Sequence, residues 1–242
     1  MIALFRKEIN LFFSSVTGLL TIVLFLLINA LFLWVFSGHF NLLDFGYATL
    51  DPFFMLSPII FLIFIPAVCM RLFAEEYQSG TIESLLTKPI SLWNVIFSKF
   101  LAANVLVLFA IIPTLIYFVS IYYLGETIGN LDFGRIMGSY IGLLMLSSTF
   151  IAIGIFSSSI SSNQVIAFLI AIICNTIIYY GFDILSEVGF LQKWDLVISN
   201  LGISIHYDTM SKGLLDSRDV IYFLSVCFLF LMFSRTSIAL RR

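Results

Sequence analysis

The sequence predicts an all-α polytopic membrane protein with six transmembrane helices. Three observations predict it. Of 242 residues, 61% are hydrophobic and 11% charged, where a soluble domain has about a quarter charged. The mean hydropathy of +1.09 implies more apolar surface than a soluble core of this length buries, so lipid is the solvent for most of it. Six stretches also reach the ~20 mostly apolar residues that a spanning helix needs: 16–36, 53–73, 94–122, 137–157, 164–182 and 219–236.

The opening segment, 2–15, has Phe5, Ile9, Phe12 and Val16 at helical spacing, with Arg6, Asn10 and Ser14 between them. That pattern predicts an amphipathic helix on the inner membrane face; a plain extension of the first span fits the same periodicity. Arg6 and Lys7 precede an apolar run, as in a secretory leader. The run is long enough to span, and no small-x-small site closes it, so it is expected to stay as the first span. Pro58 and Pro66 are expected to bend the second span, with neighbouring helices satisfying the freed carbonyls. The third stretch is long for one span. Its first turns, with Lys99, are placed at the interface, and Pro113 is expected to kink it. The connection 183–218 carries Ile184, Val188, Leu191, Trp194, Ile198 and Leu201 on one face. One or two short outer interfacial helices are expected, with Trp194 as anchor. Gly213 would stop the second, and Asp216 or Ser217 would cap the last span.

Orientation follows from Lys and Arg. Six spans put both termini on one side, and eight of the twelve basic residues lie there: Arg6, Lys7, Arg71, Lys88, Lys99, Arg235, Arg241 and Arg242. The positive-inside rule makes that side cytoplasmic. The opposite side holds ten of the fourteen acids.

Several function classes lose support. A net charge of −2 gives no sign of a nucleic-acid partner. Cys69, Cys174 and Cys227 are odd in number and sit in apolar runs, so they read as small buried hydrophobes. His39 and His206 fall in outer connections and read as solvated side chains, not metal ligands. The sequence has no His-Glu-x-x-His, Gly-x-Ser-x-Gly or Walker A loop, so no catalytic site is expected. The span centres carry no ionisable side chain, which weighs against an ion-coupled carrier. Asn29, Asn104 and Asn175 are expected to act as helix–helix glue. Such a chain conducts passively, serves as scaffold, or takes energy from a partner.

One polar segment remains: "EEYQSGTIESLLTKPIS", Glu75 to Ser91. Gly80 breaks the preceding helix, Thr81 suits an N-cap, and Glu83 falls in the first turn, where the helix dipole favours an acid. Ile82, Leu85 and Leu86 make one apolar face, Lys88 sits at the C-terminal end, and Pro89 ends the helix. Ser91 can cap the third span. A helix over 81–88 is too short to be stable alone. It needs a surface, which either a cytoplasmic protein or the chain's own bundle and lipid supply; sequence physics supports both.

The order Glu76-x-x-x-Gly80-Thr81-x-Glu83-x-Leu85-Leu86-x-x-Pro89 resembles the signature of ABC-2 class permeases of ATP-binding-cassette transporters. "HYDTMSKGLLDSRDVIYFLSVCFLFL" (206–231), followed by Arg241-Arg242, is similar to that family's outer segment and last span. With "FLWVFSGHFN" (32–41), "IPAVCMRLFAEE" (65–76), "LLTKPISLWNVIFSKFL" (85–101) and "NQVIAFLI" (163–170), the chain is most similar to gliding-motility-associated permeases. Copper-related permeases of nitrous oxide reductase maturation are the second subfamily. The resemblance implies a type V exporter-like permease of the bacterial inner membrane, with residues 81–88 as the coupling helix. It implies two copies of an ATPase that bind ATP and magnesium, a second copy of the permease or a related one, and an auxiliary substrate-binding-like membrane subunit. Ile82, Leu85 and Leu86 would pack on the ATPase, and Glu75, Glu76 and Glu83 would meet its basic residues. The uncharged stretch Ser157–Asn163 is either a second contact or a turn. A non-transporting scaffold of a motility or secretion machine is the alternative of a different class.

Overall fold

A computed structural model describes residues 1–87, 90–127, 129–187 and 200–241, without the side chains of 84–86 and 187. Among these residues every regular element is a helix, and six helices are long and apolar enough to cross a membrane. The opening helix α1 (Ile2–Ser14) ends at Ser15, whose side chain caps the next helix by accepting from the Gly18 N–H at 3.1 Å. The first span joins α2 (Val16–Ala30) to a π-helical turn, Leu31–Val35. The second is α3 (Asp51–Cys69), continued by α4 (Arg71–Gln78) and the short α5 (Thr81–Leu86). The third joins α6 (Leu92–Ile111), capped by Ser91, to α7 (Leu115–Leu124). Pro113 sits in the 3₁₀ turn Ile112–Thr114 between them, where its missing N–H breaks the α pattern. The fourth and fifth spans are α8 (Phe133–Ile160) and α9 (Gln164–Glu187). The short helix α10 (Ile203–Ser211) and the last span α11 (Ser217–Leu240) follow. Asp216 caps α11, and Gly213 lies in the left-handed region at φ +82°. Residues 188–199, with Val188, Leu191, Trp194 and Ile198, lie outside the described residues.

Spans two and four are mostly buried and form the centre of the bundle; spans one, five and six lie around them. Small residues bring the centre together. A methyl added at Gly154 would lie 2.7 Å from the Cys69 Cβ, so α8 and α3 touch nearly backbone to backbone. Asn104 joins α6 to α8 by accepting from the Ser148 hydroxyl at 2.7 Å. The Asn29 amide donates to Phe25 of its own helix. Asn175 is fully buried with both amide atoms unpaired among the described residues.

The short helix α10 is a docked element. Pro58 has no N–H to give the Phe54 carbonyl four residues earlier. The Tyr207 hydroxyl supplies that donor at 2.7 Å. Burial, then Tyr179 and Asp208, push the Tyr207 phenol well above its ordinary pKa, so it stays protonated and donates. Gly138 and Gly142, one turn apart on α8, let the α10 backbone approach: a Cβ at Gly138 would meet the Gly213 carbonyl oxygen at 2.8 Å, and one at Gly142 the Met210 Cβ at 2.7 Å. The Ser139 hydroxyl donates to the Ser211 carbonyl at 2.6 Å.

His206 is not solvated. It sits on α10, stacked on Tyr222, with Nδ1 2.6 Å from Asp219 Oδ1 and Nε2 2.9 Å from the Asn200 carbonyl. The expectation from sequence is corrected because α10 places it against the first turn of α11. His39 stays exposed, stacked between Phe40 and Phe45.

Candidate functional site at the basic end

The segment singled out in the sequence hangs from a break in span two. At Met70 the helix is interrupted between α3 and α4. Ser158 of α8 repairs the interruption: its hydroxyl oxygen accepts from the Phe73 and Ala74 N–H groups at 3.0 and 3.1 Å and donates to the Met70 carbonyl at 3.1 Å. Ser157, Ser158 and Ser159 are therefore buried residues of α8, not an inner turn or a contact surface, and only Ser162 and Asn163 of that stretch are exposed.

Two helical turns later α4 ends. Ser79 closes it by donating its N–H to the Glu75 carbonyl at 2.9 Å. Gly80 then takes φ +70° and stands at the N-cap position of α5, a conformation that favours glycine. Thr81 is the first residue of α5 and not its cap; its hydroxyl lies 2.9 Å from that of Ser79. Glu83 falls in the first turn, where the free N–H groups favour a negative charge.

The predicted site residues separate into two groups. Gly80, Thr81 and Glu83 are exposed. Glu75 is partly exposed and paired with Arg71 of its own helix at 2.9 Å. Glu76 and Ile82 point inward, 8% and 6% exposed, so neither presents its side chain to a partner in this arrangement. The physical reason is helical phase: Glu76 falls four residues after buried Leu72 and three after buried Phe73. The side chains of Leu85 and Leu86, and all of Pro89, lie outside the described residues.

Glu76 is inward because two cations wait for it. Lys99 of α6 is 2% exposed. Its ammonium donates to Glu8 Oε1 at 2.9 Å and to the Leu72 carbonyl at 2.6 Å, and lies 3.1 Å from Glu76 Oε1. It also sits 5.0 Å from the Phe73 ring centroid. Lys7 of α1 donates to Glu76 Oε1 at 3.0 Å. Burial pulls the Lys7 pKa down, but the Glu76 hydrogen bond and the charges of Glu76, Glu8 and Glu75 outweigh it and leave it raised. Arg71, besides Glu75, reaches the hydroxyls of Ser15 and Thr17 at the start of the first span. A cavity of about 260 Å³ opens among these groups, with Lys7, Glu76, Arg71 and Thr81 on its walls and Phe12 and Leu106 among its apolar residues.

Sequence reasoning missed Lys7, Glu8, Arg71, Lys99 and Ser158. For Lys99 a signal existed. A cation inside an apolar run must find acids when buried, and Glu8 and Glu76 were acids on the same side.

The opening segment forms the helix α1, Ile2–Ser14. Phe5, Ile9 and Phe12 face inward, and α1 lies on its own third span, α6. Val16 is exposed and belongs to α2. The C-terminus meets this end as well: Arg241 lies 5.0 Å from the Tyr77 ring and Arg235 5.4 Å from that of Trp93.

A family model described as ABC-2 family transporter protein matches residues 2–219. No curated protein matches the chain.

Proposed function

The chain belongs to the ABC-2 family of transporter proteins, which makes it the membrane-spanning permease subunit of an ABC transporter, and we propose that it receives energy at α5 from a separate ATPase and uses it for export. The observation that carries this reading is the placement of α5. Its first turn offers exposed Gly80, Thr81 and Glu83 at the end that gathers both termini, while Ile82 anchors it to the core. A helix of six residues has little stability of its own, so a surface beneath it completes its packing.

In this reading the basic end faces the cytoplasm of a bacterial inner membrane, as its excess of Lys and Arg supports. Two ATPase copies carry ATP and magnesium; this chain contributes no catalytic group. A second copy of the chain or a related permease completes the transporter, with an auxiliary substrate-binding-like membrane subunit beside it. The resemblance of 32–41, 65–76, 85–101, 163–170 and 206–231 to gliding-motility permeases supports an exporter of that kind. Leu85 and Leu86 provide the apolar contact and Glu83 the rim charge. Exposed ion pairs contribute about 0–1 kcal/mol, so the leucines dominate. Leu85→Asp or Leu86→Asp is expected to leave membrane insertion intact and to abolish co-purification of the ATPase. Survival of the complex with both changes refutes docking at α5.

A further inference from the structure

The helix α4 is eight residues long and lies between two interruptions, Met70 and Gly80. A helix of that length has little stability or direction of its own. Its direction is set from outside at two places. Ser158 holds its first turn through the Phe73 and Ala74 N–H groups. Lys99 holds the first turn through the Leu72 carbonyl and the last through the Glu76 carboxylate.

Lys99 has three donor protons, and three oxygens surround it: Glu8 on α1, and Leu72 and Glu76 on α4. The ammonium itself rides on α6. Three elements far apart in the chain thus meet on one buried charge, and Lys7 adds a second tie from α1 to Glu76. Filling the site with an apolar side chain would be neutral or stabilising in many proteins. What the ammonium supplies and a methionine does not is direction, because each acceptor must stay on its own donor.

We infer that Lys99 is a positioning residue for energy coupling: with Glu8, Glu76 and Lys7 it locks α1, α4 and α6 into one body, so that a displacement delivered at α5 moves all three together. The inference rests on docking at α5, and it changes what is coupled. The opening helix is then a driven part of the transmitting body, not a float on the membrane surface. Cutting the lock leaves α5 able to bind the ATPase while α4 swings between its two interruptions and the motion is lost there.

The test places spin labels at Asn10→Cys on α1 and Gln78→Cys on α4, both exposed positions, in a chain with Cys69, Cys174 and Cys227 replaced by Ala. The label distance is measured in liposomes by pulsed electron resonance, for the permease alone and with its ATPase, with and without trapped ATP. The native lock is expected to give one narrow distance that nucleotide does not change. Lys99→Met is expected to broaden it in the permease alone and to make it nucleotide-dependent in the complex. With this variant the ATPase still co-purifies and keeps its KM for ATP, while its kcat in the complex falls to that of the free ATPase. A distance that shifts with nucleotide in the native chain overturns the inference, as does a Lys99→Met distance that stays narrow. If Lys99→Met does not insert, Glu8→Ala cuts only the α1 arm and must broaden the same distance. Failure of the ATPase to bind the native chain defeats docking at α5 alone, because the permease measured by itself still decides whether the lock exists.

Discussion

Tyr207→Phe removes a single oxygen and tests how α10 is held. The phenol is 3% exposed and its hydroxyl donates to the Phe54 carbonyl at 2.7 Å. In an uninterrupted helix that carbonyl would accept from residue 58, but residue 58 is proline. Loss of the hydroxyl therefore leaves a buried carbonyl without a donor, at a cost of about 1–3 kcal/mol. Interhelical hydrogen bonds measured in membranes average ~0.6 and reach ~1.7 kcal/mol, so about 1–1.5 kcal/mol is expected here. The assay is reversible unfolding by sodium dodecyl sulfate in mixed micelles, read by circular dichroism. Because the argument depends on Pro58, a double-mutant cycle separates it from lost packing. Pro58→Ala restores an N–H to the Phe54 carbonyl. In that background Tyr207→Phe is expected to cost a few tenths of a kcal/mol at most, a coupling of about 1 kcal/mol. An equal cost in both backgrounds refutes the claim that Tyr207 repairs the proline break.

Two further expectations concern the packing that surrounds this contact. Gly138→Ala forces a methyl to within 2.8 Å of the Gly213 carbonyl oxygen and is expected to destabilise by about 1–3 kcal/mol; Gly134→Ala, whose nearest neighbour is 3.4 Å away, is expected to be neutral or to stabilise by up to ~1 kcal/mol, and the same detergent titration compares them. Ser158→Ala strips the Met70 break of its repair and is expected to cost about 1–3 kcal/mol, with faster amide exchange confined to the turn around Phe73 and Ala74.

The six spans were legible because lipid imposes a length rule that a hydropathy run meets directly. Their ends were less legible where charge pairing hides polarity. The second span was expected to stop at residue 73, yet helix continues to Gln78 after one interruption, because Arg71 and Glu75 neutralise each other and Glu76 is taken up by Lys7 and Lys99. In the segment 75–91, Gly80, the acid of the first turn and Ser91 were readable from local chemistry. The inward direction of Glu76 was less so, since Lys7 and Lys99, which receive it, come from helices far away in the chain. Helical phase did hold a clue: Leu72, Phe73 and Glu76 fall on one face, which makes an acid there inward. His206 was misread for a related reason. A loop assignment makes a histidine solvated, and only the docking of α10 brings Asp219 to it.

The second span joins these observations into one mechanical argument. It lacks a backbone donor at Pro58 and is interrupted at Met70, and a side chain from elsewhere supplies the missing partner at each place, Tyr207 on α10 and Ser158 on α8. A helix that flexed freely at either point would dissipate a push from α5 before it crossed the membrane. With both repairs in place, α3 and α4 act as a jointed rod braced along its length by α8, which touches Cys69 through Gly154 and carries α10 on Gly138 and Gly142. Ser158→Ala and Tyr207→Phe, at opposite ends of one rod, are both expected to reduce the ATP-driven response at α10 while the ATPase still co-purifies.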